Sequence, residues 1–278
     1  MALLRSETTK MLKEHGIQLD PALDEQQLVA LDVIENLIDG AEVNADDTTL
    51  EIGSGCGNIT VPLAVQSGKV IVVEKNPKFI PLLKERTSKL ANVEIIQDDI
   101  LTSNIPHFTR LVSNLPYSIC QAVFIRLIRH DFRKASLIVS ASFADIITAK
   151  PGDENYSRLS LVSSLFYIIE RIHEIPPDSY HPQPGVKTSM ITLKPVPASG
   201  APQEILRHLI RCDRMKLKNA LREALISSSK GKESPITKRK ARHTINSMSL
   251  DHRVLDTRVA RLPLDDLLTL AEALNDHI

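Results

Sequence analysis

The chain is poor in cysteine, in long apolar runs and in net charge. Its three cysteines, Cys56, Cys120 and Cys212, are scattered and odd in number. They exclude a disulfide framework, form no metal-ligand pair and suit a reducing cytosol. No run approaches the roughly 18 apolar residues of a membrane helix. The opening MALLRSETTKMLKEHG lacks the apolar stretch and cleavage pattern of a signal peptide, so a cytoplasmic protein is expected. The formal net charge is +0, yet it is unevenly spread. Residues 1–50 hold 11 acids against 3 bases, and residues 205–242 hold 12 Lys/Arg against 3 Asp/Glu. The second excess fits either a solvated helical face or a polyanion-binding surface.

What is present is a chain of 278 residues, 42% apolar. That is enough for one sizeable domain and a smaller one. TTLEI (48–52), KVIVVE (69–74), VEIIQ (93–97), RLVS (110–113) and SLIVSA (136–141) are short β-branched or apolar runs that predict strands. Helical patterns lie between them, as in PKFIPLLKERTSKL (77–90) with Pro77 in its first turn, and an amphipathic helix is expected near 24–39. Alternating strands and helices imply an α/β fold, a mostly parallel sheet with helices on both faces. Strands near 164–172 and 188–194 are expected as an antiparallel edge. KPVPASGAP (194–202) carries three prolines and a glycine and reads as a linker. Beyond it the pattern is helical to the end.

LEIGSGCGNIT (50–60) follows the first of these strands. Gly53, Gly55 and Gly57 make a G-x-G-x-G turn, with Asn58 where a dinucleotide fingerprint wants its third glycine. The Gly-Lys-Ser/Thr of a phosphate loop is missing, so the turn suits close backbone approach to a ligand without a pyrophosphate. Glu51 sets a carboxylate beside it. Glu74 closes the second strand, where a carboxylate accepts ribose hydroxyls. Asp99 follows the third and suits an adenine amino group, and Asn114 follows the fourth. Each alone is an ordinary strand-end residue. All four in order point to a nucleoside-type cofactor. The one that joins adenosine, a positive centre and an amino acid is S-adenosylmethionine.

Residues 111–120 read LVSNLPYSIC. An exocyclic adenine amine is a poor nucleophile and needs its two N–H bonds held so that the lone pair faces the methyl donor. The Asn114 side-chain oxygen and the Leu115 carbonyl are the expected acceptors. Pro116 stiffens the turn, and Tyr117 offers a stacking face worth roughly 1–3 kcal/mol per base. A Pro turn with a core tyrosine is the plainer alternative.

These motifs, with VVEKN (72–76), DDIL (98–101), KPGDENYSRLSL (150–161) and IPPDSYHPQPGVKTSMITLKP (175–195), resemble those of the small-subunit rRNA adenine N6-dimethyltransferases and their antibiotic-resistance relatives. RMKLKNAL (214–221) and TRVARLPLDDLLTLAEAL (257–274) resemble that family's small helical domain. The resemblance implies a Rossmann-like class I methyltransferase domain over 1–197 and a small all-helical RNA-contacting domain over 198–278. It implies S-adenosylmethionine as cofactor and transfer to N6 of two adjacent adenosines near the 3′ end of small-subunit rRNA. The partner would be the immature small subunit, the protein a monomer with no membrane. Tyr180 falls where the family has a second aromatic that sandwiches the base. Arg214, Lys218 and Arg222, four apart, are expected to form a phosphate-contacting stripe on one helix face, with Leu217, Leu221 and Leu225 on another. Two places depart from the family. Its opening Gly-Gln-x-Phe-Leu, which closes over the cofactor, is replaced in the acidic HGIQLDPALDE, with Gln18 or Asp20 as stand-ins. Its Gln-x-Glu-Phe-Ala-x-Arg becomes Ser140, Ser142 and Ile146 in SASFADI. A non-catalytic assembly factor and a large-subunit rRNA enzyme are the alternatives.

Overall fold

The computed structural model describes residues 2–128, 130–196, 204–206, 208–209, 212, 214–229 and 234–277. Most of the expected linker therefore lies outside the described residues. The chain divides into two compact units: Met1–Ala149 with Tyr167–Pro195, and Lys150–Phe166 with Val196–Ile278. Lys150–Phe166 thus groups with the second unit, on the far side of the boundary read at 197/198.

The first unit is built on a seven-stranded sheet. Its strands are β2 (Thr48–Ile52), β3 (Lys69–Glu74), β4 (Val93–Gln97), β5 (Arg110–Asn114), β6 (Lys134–Ser140), β7 (Tyr167–Ile175) and β9 (Thr188–Pro195), in the order β4-β3-β2-β5-β6-β9-β7. β4 through β6 pair in parallel, and β9 and β7 complete the sheet antiparallel. The strands read from the apolar runs are observed with small shifts of their ends, except that the edge strand expected near 164–172 is Tyr167–Ile175, its first three residues belonging to the preceding helix. Strand order reverses between β2 and β5, and ligands of such sheets bind at that switch point, beyond the carboxyl ends.

Helices α1 (Ala2–Glu14), α2 (Leu31–Gly40), α3 (Thr60–Gln66), α4 (Ile80–Thr87), α5 (Cys120–Leu127) and α6 (Ala141–Thr148) belong to this unit. Val33, Ile34, Leu37 and Ile38 recur at helical spacing on α2 and are buried against Val70, Val72, Val112 and Ile138 of the sheet. Each such side chain is worth about 1.5–3 kcal/mol of burial.

The helix expected near 24–39 begins only at Leu31. Residues 20–28 form a strap instead. Asp20 caps a 3-10 turn at Pro21–Leu23 by accepting from the Ala22 N–H, Asp24 takes a left-handed φ of 57°, and β1 (Gln27–Leu28) pairs antiparallel with β8 (Tyr180–His181). Proline and a capping aspartate won over the apolar periodicity here.

The second unit is helical: α7 (Arg158–Phe166), α8 (Leu217–Ser228), α9 (Lys238–Ser247), α10 (His252–Asp256) and α11 (Leu264–His277). Leu217, Leu221 and Leu225 are fully buried on one face of α8, as their spacing predicts. No described helix is long and apolar enough to cross a membrane.

Candidate active site

A cavity of about 450 Å³ opens at the switch point. Its walls come from the glycine loop after β2, the ends of β3 and β4, the Asn-Leu-Pro-Tyr turn after β5, and the strap. The volume lies within the range of small-molecule sites.

The glycine loop is approached from two sides. A Cβ on Gly53 would lie 3.3 Å from Pro116, and one on Gly55 only 2.2 Å from the Gln27 side-chain oxygen. Both residues also hold positive φ, at 70° and 52°. No other residue meets both demands. Gln27 accepts from the Cys56 N–H at 2.9 Å, so the strap clasps the loop directly.

Glu74 lines the cavity. One carboxylate oxygen accepts the Gly55 N–H at 2.9 Å, the other the Asn76 N–H at 2.8 Å. Burial pushes its pKa up; those two N–H groups oppose the shift and the nearby Glu25 adds to it. Each oxygen keeps a lone pair for a ligand hydroxyl. Asp99 accepts from the Leu101 N–H at 2.9 Å and pairs with Lys75 at 3.0 Å, and these contacts, the backbone one foremost, hold its pKa down. It is a carboxylate at neutral pH. Asn114 ends β5, half-buried in the cavity wall, and its Oδ1 accepts the Tyr117 hydroxyl at 3.4 Å.

The structure thus brings Gly53, Gly55, Glu74, Asp99, Asn114 and Pro116 to one cavity. Glu51, Gly57, Leu115, Tyr117 and Tyr180 are not in its lining. Glu51 is fully buried beneath the loop, Oε2 accepting from the Thr60 hydroxyl at 2.6 Å and Oε1 without a partner among the described residues. Burial pushes its pKa up to about 8. Gly57 sits behind the loop, where a Cβ would come within 2.9 Å of Leu83. The Leu115 side chain is core, and its N–H donates to Ile138. Tyr117 is half-buried, its hydroxyl reaching Asn114 and lying beside that of Tyr180.

Tyr180 is corrected from a base-sandwiching ring to a core residue. It is 0% exposed, its ring joins a cluster with Leu28, Ile138 and Met190, and its hydroxyl meets Thr188 Oγ1 at 2.8 Å. Pairing of β1 with β8 covers it. The basic stripe is corrected as well. Arg214 lies in the turn before α8, not on the helix. Lys218 pairs with Asp256 at 2.7 Å, alongside Lys216 at 3.2 Å, and Arg222 is half-buried. Gln18 lies away from the cavity, and Asp20 is a turn cap. Ser140 caps α6, with its hydroxyl near that of Ser142.

Sequence reasoning missed Asp24, Glu25 and Gln27. Asp24-Glu25-Gln26-Gln27-Leu28 borders the cavity. Asp24 tolerates the left-handed backbone a glycine would adopt, and its Oδ2 accepts the Ser118 N–H at 2.8 Å. Glu25 is buried, bonded to Asn76 Nδ2 at 2.8 Å and Lys78 Nζ at 2.6 Å.

Sheet order, glycine loop and strand-end acids define a Rossmann-like methyltransferase, and solved structures share that fold. A Plasmodium falciparum dimethyladenosine transferase aligns with TM-score 0.60 and 24% identity over 89% of this chain and 97% of that one. The 23S rRNA methyltransferase ErmE aligns with TM-score 0.59 and 22% identity over 89% and 99%. More particularly, the chain belongs to the ribosomal RNA adenine dimethylase family, whose model matches residues 21–249. It is 33% identical over 248 residues to a probable ribosomal RNA small subunit methyltransferase A of Methanosphaera stadtmanae, covering 87% of this chain and 91% of that one. It is 31% identical over 286 residues to the protein so named in Methanothermobacter thermautotrophicus, covering 99% and 98%.

Proposed function

We propose that the chain transfers methyl groups from S-adenosylmethionine to N6 of two adjacent adenosines near the 3′ end of small-subunit rRNA, during ribosome biogenesis in the cytoplasm. The first unit holds the cofactor and the second contacts RNA. The observation that carries this reading is the meeting of Asn114 and Pro116 with Glu74, Asp99 and the glycine loop around one cavity. The donor set fits the cofactor: Glu74 for ribose hydroxyls, Asp99 for the adenine amino group, and a loop whose glycines permit contact distance. When bound, the cofactor supplies an electrophilic methyl on a sulfonium. Everything else is done by this chain. Glu51 supports the loop from beneath. The Asn114 amide oxygen and the Leu115 carbonyl accept the two N–H bonds of the target amine and aim its lone pair. Tyr117 stacks on a base taken out of its strand, an extrusion costing a few kcal/mol, and Tyr180 positions Tyr117 by lying against its hydroxyl. Catalysis is then orientation and electrostatics.

The test is transfer of label from S-adenosylmethionine to immature small subunits. Label appears in rRNA with the parent protein and vanishes with Asn114→Ala. The altered strap motif and the buried Tyr180 favour a second reading, a non-catalytic rRNA-binding assembly factor. Subunit binding without methyl transfer by the parent supports that one and overturns the first.

A further inference from the structure

We propose that α9 is the principal surface by which this chain docks on the phosphate backbone of RNA. This rests on the functional reading above and names its RNA-contacting element. The helix reads KRKARHTINS and contains no acid. Ala241 and Ile245 are buried, and α9 packs on α8. Lys238, Arg239, Lys240 and Arg242 are all exposed. Among the described residues none of these four forms an ion pair, whereas Lys216 and Lys218 share Asp256.

At about 100° per residue, Arg239 and Lys240 point away from Ala241 and Ile245, Arg242 flanks that arc, and Lys238 edges the packed side at the exposed first turn; Lys238 to Arg242 spans about 6 Å of rise. The placement opposes local stability. Three cations occupy the first turn, where the helix's own dipole disfavours positive charge. Only the Thr237 cap, accepting from the Lys240 N–H at 3.3 Å, offsets it. A locally unfavourable choice with no acidic partner to balance it points to a functional surface. The Ile236 N–H, two residues before α9, donates to Ser229 Oγ beyond the end of α8 at 2.8 Å.

The chemistry selects the partner. Its one aromatic ring is His243, and cations make up most of its exposed face, so the helix serves chiefly backbone charge and not base identity. Its apolar residues face inward, so it has no face to insert into lipid. An extended phosphate polyanion is what remains.

The experiment uses the full chain and a fluorescent RNA of the small-subunit 3′ end, titrated across 50–200 mM salt. The variant carries Lys238→Gln, Arg239→Gln, Lys240→Gln and Arg242→Gln together. At about 0.7–0.9 per phosphate contact, the slope of log K against log[salt] becomes shallower by about 3. The single variant Arg239→Gln makes it shallower by just under one, which guards against misfolding of the fourfold variant. Lys218→Gln leaves it unchanged. A fourfold variant with the parent's slope and affinity overturns the assignment to α9 while leaving the methyltransferase reading intact. A parent protein that does not bind the RNA overturns both. Loss of binding to anionic vesicles alone, with RNA binding intact, assigns α9 to a membrane surface and overturns the proposal.

Discussion

Replacing Glu51 by Gln will abolish most of the stability loss this protein undergoes between mildly acidic and mildly basic pH. Glu51 is fully buried, and burial pushes its carboxyl up from 4.5 to about 8; the Thr60 hydroxyl and Arg86 oppose the shift, and Glu74 reinforces it. The folded state therefore holds a proton that the unfolded chain has released. Where the folded state binds more protons, stability falls as pH rises. The contribution is complete below about 4.5 and disappears as pH passes through about 8. At about 1.4 kcal/mol per pH unit, an interval of that width amounts to roughly 4–5 kcal/mol. Gln keeps the shape and an acceptor for Thr60 but cannot ionise. Urea unfolding of both proteins at pH 5 and pH 8.5 reads the difference directly. The parent is expected to lose several kcal/mol between the two, and Glu51→Gln to lose about 4 kcal/mol less. Some loss persists in the variant because Glu74 is shifted in the same direction. If both proteins lose equally, or if the parent gains stability on going to pH 8.5, Glu51 is not the buried acid described and the reasoning fails.

Three further expectations concern separate parts of the molecule. Glu74→Ala removes a carboxylate that faces the cavity and receives two backbone N–H groups; calorimetry should find S-adenosylmethionine bound about 100-fold more weakly, near 3 kcal/mol. Tyr117→Ala should lower kcat/KM for rRNA by the worth of one stacked base, about 1–3 kcal/mol, while Tyr117→Phe keeps most of it. Asp47, with a fully buried side chain bonded to Thr109 and Arg110, has its pKa lowered although burial alone would raise it, because the Thr109 hydroxyl, the Asn44 N–H and Arg110 outweigh that. Asp47→Ala leaves Arg110 with only the Ala41 carbonyl at 3.0 Å and the exposed Glu42 at 3.8 Å and should cost about 3 kcal/mol in urea unfolding at pH 7. In the parent this contribution is present above 3.8 and fades as pH falls through the lowered value, so it should be absent from acid titrations of the variant.

Much of the site was legible because it is local. A strand followed by glycines, and acids placed at successive strand ends, specify their geometry through short-range rules, and Glu74, Asp99 and Asn114 arrive where those rules put them. Tyr180 was misjudged because nothing in its neighbours reveals that β1 will pair over it. The stripe of Arg214, Lys218 and Arg222 failed for a similar reason. Spacing of four residues predicts a shared face only where a helix exists, and α8 starts at Leu217. The ion pair of Lys218 with a residue 38 positions away is invisible to any local pattern.

By itself, then, the order of residues determined the strands, the glycine turn, the acids beside it and the excess of positive charge beyond residue 205, since each depends on backbone preference and composition over a few positions. Tertiary structure alone decided that the strap with Asp24, Glu25 and Gln27 closes the cavity, that Glu51 lies neutral beneath the loop, and which cations stay free for a partner. Those outcomes depend on burial and on partners remote in the chain, and only the folded arrangement creates the low-dielectric surroundings and long-range pairings that set them.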